Sequence, residues 1–135
     1  MKVRSHCPIN FTLEHFGDKW SFLIIRDLMF KGKRHYNEFL EGDEKVSTSV
    51  LGDRLRKLEK RGIISRSADK VKRSRIRYSL TKKGIDLLPI LIDMIVWGGL
   101  NDESTEAPKE YIEEAVQNRE ALIERSRKNL IKEHL

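Results

Sequence analysis

The stretch STSVLGDRLRKLEKRGIISRSADKVKRSRIRYSL, residues 47–80, decides the fold. Ser47 is a good helix N-cap, because its hydroxyl can accept from a free amide of the first turn. A strong helix follows to about Arg61, and Gly62 stops it in the usual C-terminal way. Leu51, Leu55 and Leu58 recur at helical spacing and form one apolar stripe. Ser49, Asp53, Arg56 and Lys60 fall on the opposite face, with Thr48 and Gly52 beside them near the helix start. Ile63 to Ala68 reads as a strand, and Ile76 to Leu80 alternates like its returning partner. Asp69 to Arg75 (DKVKRSR) is then the polar, basic tip of a β-hairpin.

Upstream, Thr12 to Phe16 is a short helical candidate ended by Gly17. Asp18 is placed to cap a helix from about Lys19 to Phe30, with Trp20, Leu23, Ile24 and Leu28 facing inward. Lys33 to His35 is a brief connector or strand. Tyr36 to Leu40 is a helix of one to two turns, with Tyr36, Phe39 and Leu40 inward, and Glu41 to Lys45 is a charged turn. Downstream, Thr81 caps KKGIDLLPILIDMIVWGGL, in which Pro89 is expected to kink the helix. Leu87, Leu88, Leu91, Ile92, Ile95 and Val96 leave this helix little polar face. A subunit interface and a central core helix explain that equally well. Asn101 to Ala107 is a polar linker. Pro108 opens a long helix to about His134. Its stripe of Ile112, Ala115 or Val116, Arg119, Ile123, Ser126 and Leu130 is thin, so packing against a partner subunit is the economical expectation.

The expected fold is therefore mostly α with one small β-hairpin: a winged helix-turn-helix with additional dimerisation helices. Residues 1–100 form the winged-helix domain, with the N-terminal arm and the first dimerisation helix. Residues 101–135 form the linker and C-terminal helix, at the dimer interface.

Charge supports a polyanionic partner. The 135 residues carry 27 Lys and Arg against 21 Asp and Glu, a net +6, and the pI is about 9.5. The excess is concentrated. Residues 46–84 hold 13 basic and 3 acidic residues, whereas residues 101–135 hold 6 basic and 9 acidic. A helix about 10–12 Å across fits the DNA major groove, and short hydrogen-bonding side chains in its first turns can reach base edges. Ser47, Thr48 and Ser49 suit that role, followed on the same helix by Asp53, Arg54 and Arg56. Lys70, Lys72, Arg73 and Arg75 on the hairpin suit the phosphate backbone or the minor groove.

Other chemistry is poorly represented. The single cysteine, Cys7, permits neither an intrachain disulfide nor a multi-thiol metal site. His6, His15, His35 and His134 lack metal-ligand spacing, and there is no phosphate-binding glycine loop or nucleophile elbow. No enzyme, cofactor or metal is expected. No uninterrupted apolar run of membrane-spanning length stands out, and residues 1–10 lack a signal-peptide core, so a soluble cytoplasmic protein with no membrane partner is expected. The rival reading is a winged helix used for protein or RNA interaction.

The sequence also resembles the HxlR-type winged-helix regulators of bacteria and archaea, relatives of the broader MarR group. The matching stretches are CPINFTLEHFGDKW (7–20), RHYNEFL (34–40), STSVLGDRLRKLEKRGII (47–64) and RYSLTKKGIDLLPIL (77–91). The resemblance implies a homodimeric, sequence-specific regulator of transcription on double-stranded DNA. It further implies the 47–61 helix in the major groove, the 69–75 hairpin as wing, and dimerisation through the terminal helices. Some family members sense oxidants or electrophiles through a cysteine at the place of Cys7, which makes Cys7 a candidate redox sensor and an oxidant or small molecule a candidate effector. Lys2, Arg4 and His6 lie close enough in sequence to lower its pKa. The opposing reading is an inert thiol kept for packing. Two features depart from the family: His35 stands where relatives often carry a basic residue, and the extension 101–135 is longer than the family pattern needs.

Overall fold

A computed structural model describes residues 2–135. Its helices and strands run α1 (Pro8–Phe16), α2 (Ser21–Phe30), α3 (Tyr36–Leu40), α4 (Thr48–Lys60), β1 (Ile64–Ala68), β2 (Ile76–Leu80), α5 (Lys82–Ile85), α6 (Leu88–Asn101), α7 (Lys109–Gln117) and α8 (Arg119–His134). The strands pair antiparallel, with Ile64 opposite Leu80 and Ala68 opposite Ile76. This is the expected mostly helical winged helix-turn-helix.

One core unites the chain. Ile25, Leu51, Leu58, Leu80, Leu88 and Ile92 are buried together, and Leu122, Ile123 and Leu130 of α8 join the same cluster. Gly62 has φ 76°, the left-handed conformation that lets α4 end and the chain turn at once into β1. Gly84 allows a close approach: a Cβ there would lie 2.3 Å from the Ile63 carbonyl oxygen. The start of α5 can therefore rest on the entry to β1.

Several boundaries differ from the sequence reading. The first helix starts at Pro8, not Thr12, because proline at a first-turn position has its φ already set and needs no amide donor there. The second begins at Ser21, two residues after Lys19, although Asp18 still organises its start. Lys33 to His35 forms no strand. Instead the Arg34 carbonyl accepts from the Tyr78 amide at 2.8 Å.

The helix expected to kink at Pro89 is two helices. α5 ends at Ile85, and Pro89 sits in the first turn of α6. Proline cannot donate to Ile85 and its ring would crowd that carbonyl, so the chain turns before it. By length and composition alone, Lys82–Asn101 could cross a membrane. In the fold that stretch is broken around Asp86 and Leu87, and Leu88, Leu91 and Ile92 are buried in the core.

The expected long C-terminal helix is also two. Asn118 (φ −132°, ψ 46°) separates α7 from α8. The bend lets Ile112 and Ala115 of α7, and Leu122, Ile123 and Leu130 of α8, all bury against the protein's own body. A straight helix could not follow that surface. Arg119 pairs with Asp93 of α6 at 2.8 Å, and Arg125 pairs with Glu114 of α7 at 2.8 Å.

The end of α8 closes the free edge of β2. The Leu80 amide donates to His134 Nδ1 at 3.0 Å. Arg34 donates to the Tyr78 carbonyl at 2.7 Å and to Ser79 Oγ at 2.6 Å. An edge strand with unpaired amides invites pairing with other chains, and these contacts remove that opportunity. Burial, with the Arg34 guanidinium next in weight, pushes His134 down to about 4. The neutral ring is therefore favoured in the folded chain. Its contribution is fully present above the ordinary histidine range near pH ~6.5 and is lost as pH falls from there towards about 4. His134→Asn, which keeps an acceptor but does not titrate, should lose about 1–2 kcal/mol less stability across that interval than the wild type, after allowance for solvent screening. Urea unfolding at pH 7 and pH 4.5 checks this. Parallel losses in both proteins would refute it.

Candidate nucleic-acid interface

Ser47 caps α4 as expected: its Oγ accepts from the Val50 amide at 3.2 Å. Leu51, Leu55 and Leu58 are buried beneath the helix. Thr48, Ser49, Arg56 and Lys60 are exposed, and Asp53 is half-buried. The first turn of α4 thus offers hydroxyls and free backbone amides together, at the positive end of the helix dipole.

Neighbouring elements fix the attitude of α4. Tyr36 OH of α3 donates to the Thr48 carbonyl at 2.9 Å. Arg54 points inward rather than outward. Its Nε donates to Asp18 Oδ2 at 2.9 Å, and its Nη1 contacts Asp53. Asp18 in turn accepts from the Trp20 and Ser21 amides at 2.9 and 3.0 Å. Partial burial alone would raise the Asp18 carboxyl, but hydrogen bonds from Ser21 and Arg54 outweigh it and bring it down to about 2. Asp18 is therefore a carboxylate that joins the start of α2 to the middle of α4. Asp53 also pairs with Lys57 at 3.2 Å, which lowers its carboxyl. Arg26 of α2 reaches Glu44 in the turn before α4 at 2.7 Å and its neighbour Asp27 at 2.8 Å.

The hairpin tip is built on one side chain. Asp69 Oδ2 accepts from the Val71 and Lys72 amides at 3.2 and 2.9 Å and from Arg75 Nη2 at 3.3 Å. The Asp69 amide donates to the Arg75 carbonyl at 2.8 Å. This inward anion turns the cations outward. Lys70, Lys72 and Arg73 are exposed and make no ion pair among the described residues, while Arg75 is exposed but paired with Asp69. Val71 at the tip is 93% exposed.

Ser49, Arg56, Lys70, Lys72 and Arg73 thus have outward, available side chains. Arg54 and Asp53 are tied to each other and to the scaffold. The reading from sequence overlooked Asp69, whose position before a basic turn is a usual signature of side-chain-to-backbone bonding. It also could not find the Asp18–Arg54 pair, because 36 residues separate the partners.

Cys7 is exposed at the N-cap of α1. Arg4, its basic neighbour in sequence, is directed to Glu14 at 2.9 Å and Asn10 at 2.6 Å. The described residues contain no group of three or more His, Cys, Asp or Glu side chains placed to hold a metal ion.

A family model described as HxlR-like helix-turn-helix matches residues 15–106. The HTH-type transcriptional regulator sll1512 of Synechocystis sp., itself uncharacterized, is 40% identical over 102 residues, covering 74% of this chain and 75% of that protein. Among solved structures, the redox regulator HypR in its oxidized form is similar at TM-score 0.64 and 35% identity, over 72% of this chain and 99% of the other. The reduced transcriptional regulator YodB from B. subtilis is similar at TM-score 0.58 and 27% identity, over 76% and 100%. All of α7 and α8 lie beyond the stretch that the family model matches.

Proposed function

Because the chain belongs to the HxlR-like helix-turn-helix family, a family of DNA-binding transcription regulators and not of enzymes, we propose that it acts in the cytoplasm as a homodimer reading a near-palindromic operator. Two copies of α4 enter successive major grooves, with half-sites about 34–36 Å apart. Ser47, Thr48, Ser49 and Arg56 face the bases. Lys70, Lys72, Arg73 and Arg75 follow the phosphates, and Arg54 with Asp53 holds the helix in place. The observation that carries this reading is the pairing of a small polar first turn on α4 with three exposed hairpin cations, Lys70, Lys72 and Arg73, that make no ion pair among the described residues.

An apolar helix face supports the dimer. Ile90, Met94, Trp97 and Leu100 of α6 recur at helical spacing and are exposed, Trp97 by 72%. Soluble single subunits rarely carry contiguous large side chains of this kind uncovered. On α1, Ile9, Phe11 and Leu13 are exposed as well. The same reading includes Cys7 as the point of control, supported by its exposure and by the resemblance to a protein described as a redox regulator. Two Cys7 thiols of a dimer would join as a disulfide, releasing two protons and two electrons to an oxidant such as a peroxide or quinone.

Fluorescence anisotropy of the reduced protein tests the reading. The probes are duplex DNA from upstream of its own gene, a scrambled duplex and the same sequence as duplex RNA. Stoichiometric binding that prefers the native DNA by 10³-fold or more at physiological salt is expected. Equal, weak binding to all three would argue against a regulator of its own promoter. Preference for the RNA would replace the reading with RNA binding. Peroxide treatment should change the affinity of the wild type and leave Cys7→Ser unaffected.

A further inference from the structure

We propose that His35 is the positioning residue of the wing: protonated on both ring nitrogens, it ties the hairpin tip to α3 and so sets how well the tip's cations meet DNA. The inference rests on the wing making the phosphate contacts described above.

Three observations carry it. His35 Nδ1 lies 2.7 Å from Glu38 Oε1, and Nε2 lies 2.7 Å from Asp69 Oδ1. The ring is sheltered, with a side chain only 15% exposed. Among the described residues, this contact with Asp69 is the one side-chain hydrogen bond that leaves residues 69–75 for another part of the chain. The strands hold the base of the hairpin, whereas His35 holds its tip.

The two carboxylates dictate the state of the ring. Asp69 lies far below the usual carboxylate range, first because the Lys72 amide donates to it and then because His35 does. Glu38 is also lowered: desolvation opposes this, but the Arg34 amide and His35 outweigh it. Ionised carboxylates only accept hydrogen bonds, so both ring nitrogens must donate. Only the imidazolium can do so. A neutral ring has one N–H and would turn a lone pair towards one of two anions 2.7 Å away. The charged groups that meet the ring are Glu38 on α3 and Asp69 on the wing, with Arg75 bound to the other oxygen of Asp69. Arg75 reaches the other oxygen of Asp69 and would keep part of the anion's compensation if the imidazole were removed. Losing the ring therefore frees the tip from α3 without unfolding the hairpin.

The test uses the full chain in two assays, with wild type, His35→Gln and His35→Arg. Arginine keeps a two-ended cation that does not titrate, and glutamine removes the charge. Hydrogen exchange of the Val71 and Lys72 amides in DNA-free protein, corrected for intrinsic rates, reports the tip alone. Anisotropy on one fixed duplex reports DNA affinity. In His35→Gln the tip should lose protection, and affinity should fall about three- to tenfold, the scale of one charge-assisted hydrogen bond. His35→Arg should keep the tip protected and bind close to the wild type. Tip exchange indifferent to His35→Gln would overturn the proposal, as would affinity that ignores a measured loosening. Failure of the wild type to bind DNA would instead strike the functional reading, and the exchange data would still decide what His35 does to the tip.

Discussion

Replacing Lys72 and Arg73 together by alanine is expected to weaken binding to every duplex about equally, by roughly 10- to 100-fold at moderate salt. Both side chains project from the tip without a partner among the described residues, so their loss leaves no buried charge behind and should not disturb folding. The dependence of log K on log salt should flatten by about two units, close to one for each phosphate contact removed. The companion variant, Ser49→Ala with Arg56→Ala, should behave differently. Neither side chain packs in the core, and both lie on the outer face of α4. If they read bases, preference for the native duplex should fall by about 1–3 kcal/mol per contact while the salt slope changes less. Anisotropy at four salt concentrations separates the two patterns. If both double variants bind like the wild type, the proposed face is wrong.

The second large effect concerns α6. Trp97→Glu combined with Met94→Glu should yield a folded, soluble monomer whose affinity for a two-half-site operator falls by about 10²- to 10⁴-fold. Both side chains are exposed in the single chain, Trp97 by 72% and Met94 by 48%, so a charge there has no intrachain core to disrupt. In a dimer the same charges would be buried opposite each other without partners, at a cost of several kcal/mol. Loss of the dimer converts linked binding of two half-sites into single binding events, which accounts for the size of the effect. Sedimentation equilibrium and anisotropy on whole and half operators check it. A variant that remains dimeric would move the interface away from this face, and a monomer binding the whole operator as tightly as the wild type would remove the need for a dimer.

Local rules accounted for much of the frame. The Ser47 cap, the leucine spacing of α4, the left-handed Gly62 and the alternation of β2 depend on residues within a few positions of one another. Propensity and periodicity act at that range, so these elements were legible from residues 47–80 alone. The concentration of positive charge was equally legible, because charge is a sum over residues and needs no geometry. Boundaries were harder wherever two local preferences competed. Pro8 started α1 where the pattern only began to show at Thr12, and Pro89 opened α6 where its position suggested a kink.

The sequence by itself determined α4 and the β1–β2 hairpin, their order and the basic character of residues 46–84. Only the tertiary structure decided what each charged side chain faces. Arg54 meets Asp18, His35 meets Asp69 and His134 meets the Leu80 amide across 36, 34 and 54 residues. It also decided that the chain bends at Asn118, so that α8 covers its own body. The physical reason is common to all four. Burial of an apolar surface and satisfaction of a polar group depend on what the rest of the chain places nearby, and no periodicity within a short window carries that information.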